Sequence, residues 1–212
     1  DSVIQKTVPI QEVLEKSFSL KINQKVILSN LIEWLEKMGY SRQTNVYSIG
    51  EYALRGGILD VFVPETKYPI RLDFFGTKLE KIRTFDPSSQ RSNGSIKNVS
   101  LFPVSEIILD EEVINTFRRN YRRTIGTVKT DDRVYNSISE KILVEGIEHW
   151  LPLFNPKLVP LFSVLNRASL SYDSDLQAMI ENKWEQIVES RSFDLKTVSK
   201  NPNKLSLLEP SS

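Results

Sequence analysis

The sequence predicts an α+β protein: a mostly antiparallel sheet domain with a packed helix, followed by a mainly helical α/β domain. Two observations predict it. Between residues 46 and 102, short runs of alternating apolar and polar residues follow one another, separated by Gly, Pro and Asp. On either side of that stretch the apolar spacing is helical. No internal repeat or low-complexity tract interrupts the pattern.

Taken in order, Pro9 to Lys16 predicts a short helix, and the alternation from Phe18 to Val26 predicts an edge strand. Ser29 is a candidate cap for a helix carrying Leu31, Leu35 and Met38 on one face, with Gly39 at its end. Strands are then expected at 46–48, 51–55, 58–63, 69–75, 79–85 and 96–102. Gly56-Gly57 marks a tight hairpin, and Asp86-Pro87-Ser88-Ser89 marks a loop. After Pro103 the period becomes helical. Asp110 caps a helix over 111–123, with Val113, Phe117 and Tyr121 as its apolar stripe and acids in its first turn. Asp131 opens a further helix through Leu143, and a short aromatic segment follows over 146–154. Ser163–Leu165 and Ser169–Tyr172 read as strands, and 176–188 reads as a strongly amphipathic helix through Ile180, Trp184 and Ile187. From Phe193 onward no period is visible, and weak anchoring is expected.

Composition bounds the chemistry. The 212 residues suffice for one large domain or two small ones, and 40% hydrophobic with 26% charged residues indicates an ordered globular chain. No apolar run approaches the ~18–20 residues of a membrane span. The chain begins at Asp1 with no leader-like segment, so it is expected to be a piece of a longer protein. With no cysteine, disulfides and thiolate sites are excluded, which fits a cytoplasmic location. The only histidine is His149, which removes His-pair metal sites; it reads as a packed, satisfied residue. Lys and Arg number 28 against 27 Asp and Glu, so net charge does not draw the whole chain to nucleic acid. No Gly-x-x-x-x-Gly-Lys-Ser/Thr loop is present, so no nucleotide site is expected; no cofactor, metal or catalytic residue is expected either.

Alternation sorts the strand residues onto two faces. Tyr52, Leu54, Ile70, Leu72 and Phe74 share a core side. Glu51, Ala53, Arg55, Arg71, Asp73 and Phe75 share the other. Arginines and an aromatic in a polar surround have the composition of a protein-docking surface. Periodicity alone favours a solvated face, with Phe75 tucked under the turn at Gly76.

The string Gly50-Glu51-Tyr52-Ala53-Leu54-Arg55-Gly56-Gly57-Ile58-Leu59-Asp60-Val61-Phe62 resembles the sheet signature shared by UvrB and the bacterial transcription-repair coupling factors. Residues 69–76 and 82–91 continue it at the expected spacing. Thr84-Phe85-Asp86, Ser89-Gln90-Arg91 and residues 146–154 are more similar to the coupling factors than to UvrB. The resemblance implies a connector (1–16) from an absent domain 1a, a UvrB domain 2-like part (17–102) and a domain 1b-like part (103–212). It implies a non-catalytic module that recruits the repair protein UvrA to lesions where RNA polymerase has stalled. The family's UvrA contacts map to Arg55, Arg71, Asp73 and Phe75. Arg55 and Arg71 would reach acidic groups on UvrA, Phe75 would be the apolar anchor, and Asp73 would pair across the interface or hold Arg71. The intact family members also engage RNA polymerase and double-stranded DNA through an ATP-driven motor, and a C-terminal domain is expected to mask this surface.

An alternative reading is a DNA-contacting accessory domain acting through Arg118, Arg119, Arg122 and Arg123 on the helix expected at 111–123. The same four arginines also suit a solvated face near a helix C-terminus. Trp34, Trp150 and Trp184 read as core or domain-seam residues.

Overall fold

The computed structural model describes residues 6–144, 146–164, 171 and 174–198, with side chains described except at His149, Val164 and 190–198. The chain divides into two compact units: Ile10–Ile108, and a second that joins the start of the chain through Pro9 to the chain from Leu109. In chain order the first elements are β1 (Lys6–Thr7), α1 (Ile10–Glu15), β2 (Phe18–Lys21), α2 (Leu28–Lys37), β3 (Ser41–Arg42) and β4 (Glu51–Arg55). Next come β5 (Ile58–Val61), β6 (Ile70–Phe75), β7 (Lys78–Phe85), β8 (Ser92–Ile96) and β9 (Asn98–Leu101). They are followed by α3 (Glu111–Ile125), α4 (Arg133–Ser139), a 3-10 turn (Ile147–Trp150), α5 (Leu151–Phe154), β10 (Val159–Pro160), α6 (Leu161–Val164) and α7 (Leu176–Val198).

The unit Ile10–Ile108 is built on a six-stranded sheet, β3-β4-β5-β6-β7-β8, antiparallel except where the two-residue β3 runs parallel to β4. A second sheet pairs β2 with β9. The register sets Tyr52 opposite Val61, Leu59 opposite Leu72, and Leu72 opposite Ile82. Paired residues point the same way, so one face becomes continuously apolar. That face joins Leu31 and Leu35 of α2 in one buried cluster. At ~1.5–3 kcal/mol for each large side chain taken from water, it supplies most of the unit's stability. Trp34 lies at its edge between Phe18 and Tyr40, with ring centroids 5.6 and 6.3 Å away.

Several expected boundaries move. The first turn of α2 closes through backbone alone, with the Asn30 and Leu31 amides donating to the Ile27 carbonyl, so Ser29 sits inside the helix rather than capping it. Residues 46–48 form a loop instead of a strand, because the Glu51 carboxylate accepts the Tyr47 and Ser48 amides and takes them out of a ladder. The single strand expected at 96–102 is two: β8 pairs with β7 and β9 with β2, parting at Lys97. β2 ends at Lys21, where Asn23 takes a left-handed φ of 70°.

In the second unit Asp110 caps α3 as the sequence predicts, its side chain accepting the Val113 amide at 2.9 Å. Ile114, Phe117, Asn120 and Tyr121 form the buried stripe, displacing Val113 from it. Phe117 stacks on Phe154 at 4.6 Å and Tyr121 on Trp150 at 5.5 Å. Asn120 is satisfied by the Leu153 carbonyl at 3.0 Å. Asp132, not Asp131, caps α4, which ends at Ser139 rather than Leu143 because Lys141 turns to a φ of 63°. Ser163 lies in α6, not in a strand; the strand expected at Ser169–Tyr172 lies outside the described residues apart from Ser171. α7 continues past Val188 to Val198. It leaves Met179, Ile180, Trp184 and Val188 exposed, so Trp184 is not a core residue.

Candidate functional site

The face of the six-stranded sheet opposite α2 carries the charges. Across it run Ala53, Asp60, Arg71, Arg83 and Ser95, each directly opposite the next. A second row sets Arg55 opposite Ile58, Ile58 opposite Asp73, and Asp73 opposite Lys81. Arg71 and Arg83 are like charges in direct cross-strand register, which alone would be destabilising. Each is turned to a different acid. Arg71 donates from Nε and Nη2 to the two carboxylate oxygens of Asp60, at 2.7 and 2.8 Å. Arg83 makes the same fork on Asp73, both bonds 2.9 Å. Paired forks of this kind fix orientation as well as charge.

Asp60 also accepts from Arg55, so one fully buried carboxylate serves two arginines. The second guanidinium nitrogen of Arg55 donates to Asn45 Oδ1 at 3.0 Å. Arg71 extends the other way, donating from Nη1 to the Gln90 carbonyl at 3.2 Å, with its guanidinium carbon 4.5 Å from the Phe85 ring centroid. The hydrogen bonds to Asp60 hold the Arg71 pKa above its ordinary value, so its charge is permanent.

Two loops fold onto this face. Val46 of loop 43–50 is buried with Ala53 and Phe85, and Phe62 packs against them, in a small second cluster. Loop 86–91 is preformed by Asp86, whose carboxylate accepts the Ser89 amide at 2.7 Å and hydroxyl at 2.9 Å. Those bonds, the backbone one foremost, keep the Asp86 carboxyl below its ordinary pKa. Gln90, at a φ of 60°, joins the two loops: its amide nitrogen donates to the Val46 and Pro87 carbonyls at 3.1 and 2.7 Å.

Beyond this frame Phe75 ends β6 with 76% of its surface open to solvent, and Ile58 stands exposed at the start of β5. Phe75 shares its face with Asp73 and Arg71, and Gly76 follows at a φ of 59° in the turn to β7. An exposed aromatic beside fixed arginines has the composition expected of a protein-docking surface. Arg55 and Arg71 are paired with Asp60, and Arg83 with Asp73. Among the described residues no group of three or more His, Cys, Asp or Glu could hold a metal ion, and no helix is long and apolar enough to cross a membrane.

This strand and turn pattern has a family. Residues 18–107, the span that holds the whole face, match the UvrB interaction domain. A transcription-repair-coupling factor of Haemophilus influenzae is 34% identical over 175 residues, 82% of this chain, and one of Escherichia coli is 32% identical over 183 residues, 85% of this chain. The chain carries a UvrB interaction domain and belongs with the transcription-repair-coupling factors. A third relative of that description, from Staphylococcus aureus, is 33% identical over 134 residues, covering 62% of this chain and 11% of its own length. The chain spans only 15–16% of the length of the first two.

Within this UvrB interaction domain Arg55, Arg71, Asp73 and Phe75 all lie on one face, with unequal exposure. The Arg55 side chain is 46% open and that of Arg71 14%. Asp73 holds Arg83, not Arg71. Asp60, Arg83 and Gln90 were missed by sequence reasoning. Asp60 had a usable signal, an acid at an outward position between Leu59 and Val61 and one strand away from arginines on both sides. Gln90 had none, because its role depends on a loop closing over the sheet.

The basic helix presents a different picture from the one its spacing allowed. Arg118 donates to the Ser139 hydroxyl at 3.0 Å and to the Ser139 carbonyl at 3.3 Å, and Arg122 lies over the Tyr135 ring at 5.4 Å. These two arginines bind α4 to α3, lining an open cavity of about 780 Å³ together with Arg119. Arg119 and Arg123 point to solvent. The His149 side chain lies outside the described residues.

Proposed function

We propose that this chain is the non-catalytic recruitment module of a transcription-repair coupling factor, docking UvrA and so bringing nucleotide excision repair to sites where RNA polymerase has stalled. The observation that carries the reading is Phe75: a large aromatic, three-quarters exposed, on a strand whose outward neighbours are locked in ion pairs. An exposed aromatic on a rigid frame binds without a large ordering cost. In this reading Phe75 is the apolar anchor and Arg55 supplies hydrogen bonds to acidic groups on UvrA, with Arg71 and Asp73 in the supporting lattice. The ATP-driven motor, the contacts to RNA polymerase and double-stranded DNA, and a C-terminal domain masking this surface belong to other parts of the whole protein. DNA contact through α3 is the weaker reading, since Arg118 and Arg122 are engaged in joining α3 to α4.

Titration calorimetry against UvrA tests the proposal. The native chain is expected to bind, and Phe75→Ala to lose about 2 kcal/mol or more of binding. Its folding stability should change by less than ~0.5 kcal/mol, as at other exposed positions. Native-like UvrA affinity in Phe75→Ala would remove this face as the docking site.

A further inference from the structure

Asp60 is fully buried and cannot touch a docking protein, yet it joins both arginines of the candidate surface. Followed from there, the hydrogen bonds close on themselves. Arg55 bridges Asp60 to Asn45, and Arg71 bridges Asp60 to the Gln90 carbonyl. The Gln90 side chain then donates to the carbonyl of Val46, the residue next to Asn45. The circuit ties β4, β5 and β6 to both loops that fold over them.

We propose that Asp60 and Gln90 are positioning residues of the docking surface, and that Arg71 acts with them as a strut. Arg55 and Phe75 are then the groups a partner meets. The inference rests on the docking reading above and adds Asp60 and Gln90 to it. Two observations and one principle carry it. All three guanidinium nitrogens of Arg71 already donate within the chain and its face covers Phe85, whereas the Arg55 side chain is almost half open. Gln90 gives both its donor bonds to loop carbonyls while its own Oε1 is buried with no hydrogen-bond partner among the described residues. A group kept at that cost is held for what its other end fixes. Finally, a closed polar network confers a single geometry only when every member is present.

The test compares UvrA titrations of the whole chain carrying Asp60→Asn, Arg71→Gln, the two together, Gln90→Met and Phe75→Ala. Circular dichroism and thermal unfolding establish which variants are folded. Asp60→Asn and Arg71→Gln are each expected to weaken binding about tenfold or more. The double variant should be no more than about threefold weaker than the weaker single, because both changes break the same circuit. Gln90→Met should weaken binding with the sheet intact, and it decides the matter if Asp60→Asn does not fold. A double variant whose loss equals the product of the two single losses would show that Arg71 acts apart from Asp60, overturning the strut. Native affinity in both Asp60→Asn and Gln90→Met would overturn the positioning role. A native chain that does not bind UvrA, or a Phe75→Ala variant that binds as well as native, would instead defeat the docking reading beneath it.

Discussion

Tyr52 shows how a single residue ties the sheet to its helix. Its ring is fully buried, and its hydroxyl donates to Glu36 of α2 at 2.6 Å. Burial first, and that hydrogen bond second, pushes its pKa up to about 12. The unfolded phenol titrates near ~10, so the native state holds the proton more tightly than the unfolded chain does. The resulting stability is fully present below about pH 10 and is lost as pH rises through about 12. Urea midpoints measured across that window should fall for the native chain and fall less for Tyr52→Phe. Tyr40, whose pKa is also raised by burial, accounts for part of the slope that remains. At neutral pH the variant should cost about 1 kcal/mol, the typical worth of one hydrogen bond. Coincident slopes for the two proteins would rule Tyr52 out as the titrating group. The inward side of Tyr52 was legible from alternation with Leu54, because the period of a strand is fixed by its backbone. Its partner was not, since Glu36 lies on a helix whose position along the sheet no local pattern encodes. Asp60 divides in the same way: its face could be read, and its burial depended on two loops arriving from elsewhere.

The β4–β5 hairpin raises the argument to the element. Its two glycines are unequal. Gly56 stands at a φ of 61° with open space around it, so its requirement is conformational. Gly57 faces β6, where an added Cβ would lie 2.6 Å from the Phe74 carbonyl oxygen. Phe74 in turn donates to the Gly57 carbonyl at 2.8 Å, so neither strand can withdraw without losing a ladder bond. Gly56→Asn should therefore cost less than about 1 kcal/mol, since Asn tolerates the left-handed region. Gly57→Ala should cost about 2 kcal/mol or more by driving β6 off β5, and it should weaken docking, because Phe75 follows the residue it displaces. Urea melts paired with UvrA titrations separate the two effects; equal costs at both glycines would contradict the steric argument. The Gly-Gly pair marked the hairpin in the sequence but could not say which glycine faced another strand. The same boundary explains the split at Lys97. β8 has no apolar residue before Ile96, and Ile96 and Val99 stand three apart rather than two, so alternation alone could not place the change of partner from β7 to β2. Elements set by their own period were readable, and those set by what packs on them were not; the loop at 46–48 and the exposed apolar side chains of α7 are two further cases.

For the molecule as a whole, the decisive fact is that the candidate surface and everything supporting it fall in one unit. Asn45, Val46, Arg55, Asp60, Arg71, Phe75 and Gln90 all lie between Ile10 and Ile108, and so does the buried cluster that holds β4 to β7 against α2. The match to the UvrB interaction domain ends at 107, at the edge of the same unit. A unit with its own closed core folds alone when enough apolar surface is buried within it, and domains of ~100 residues commonly reach that point. A chain cut to residues 10–108 is therefore expected to unfold in one cooperative transition and to bind UvrA within about threefold of the full chain. Phe75→Ala should weaken the cut chain by the same factor as the full one, since the two share the whole hydrogen-bonded circuit. If the cut chain is folded but binds much more weakly, residues beyond 108 contribute to docking, and the exposed arginines of α3, Arg119, Arg122 and Arg123, become the first to remove. Equal affinity would confine recruitment to the sheet and leave the helical unit free for a separate role.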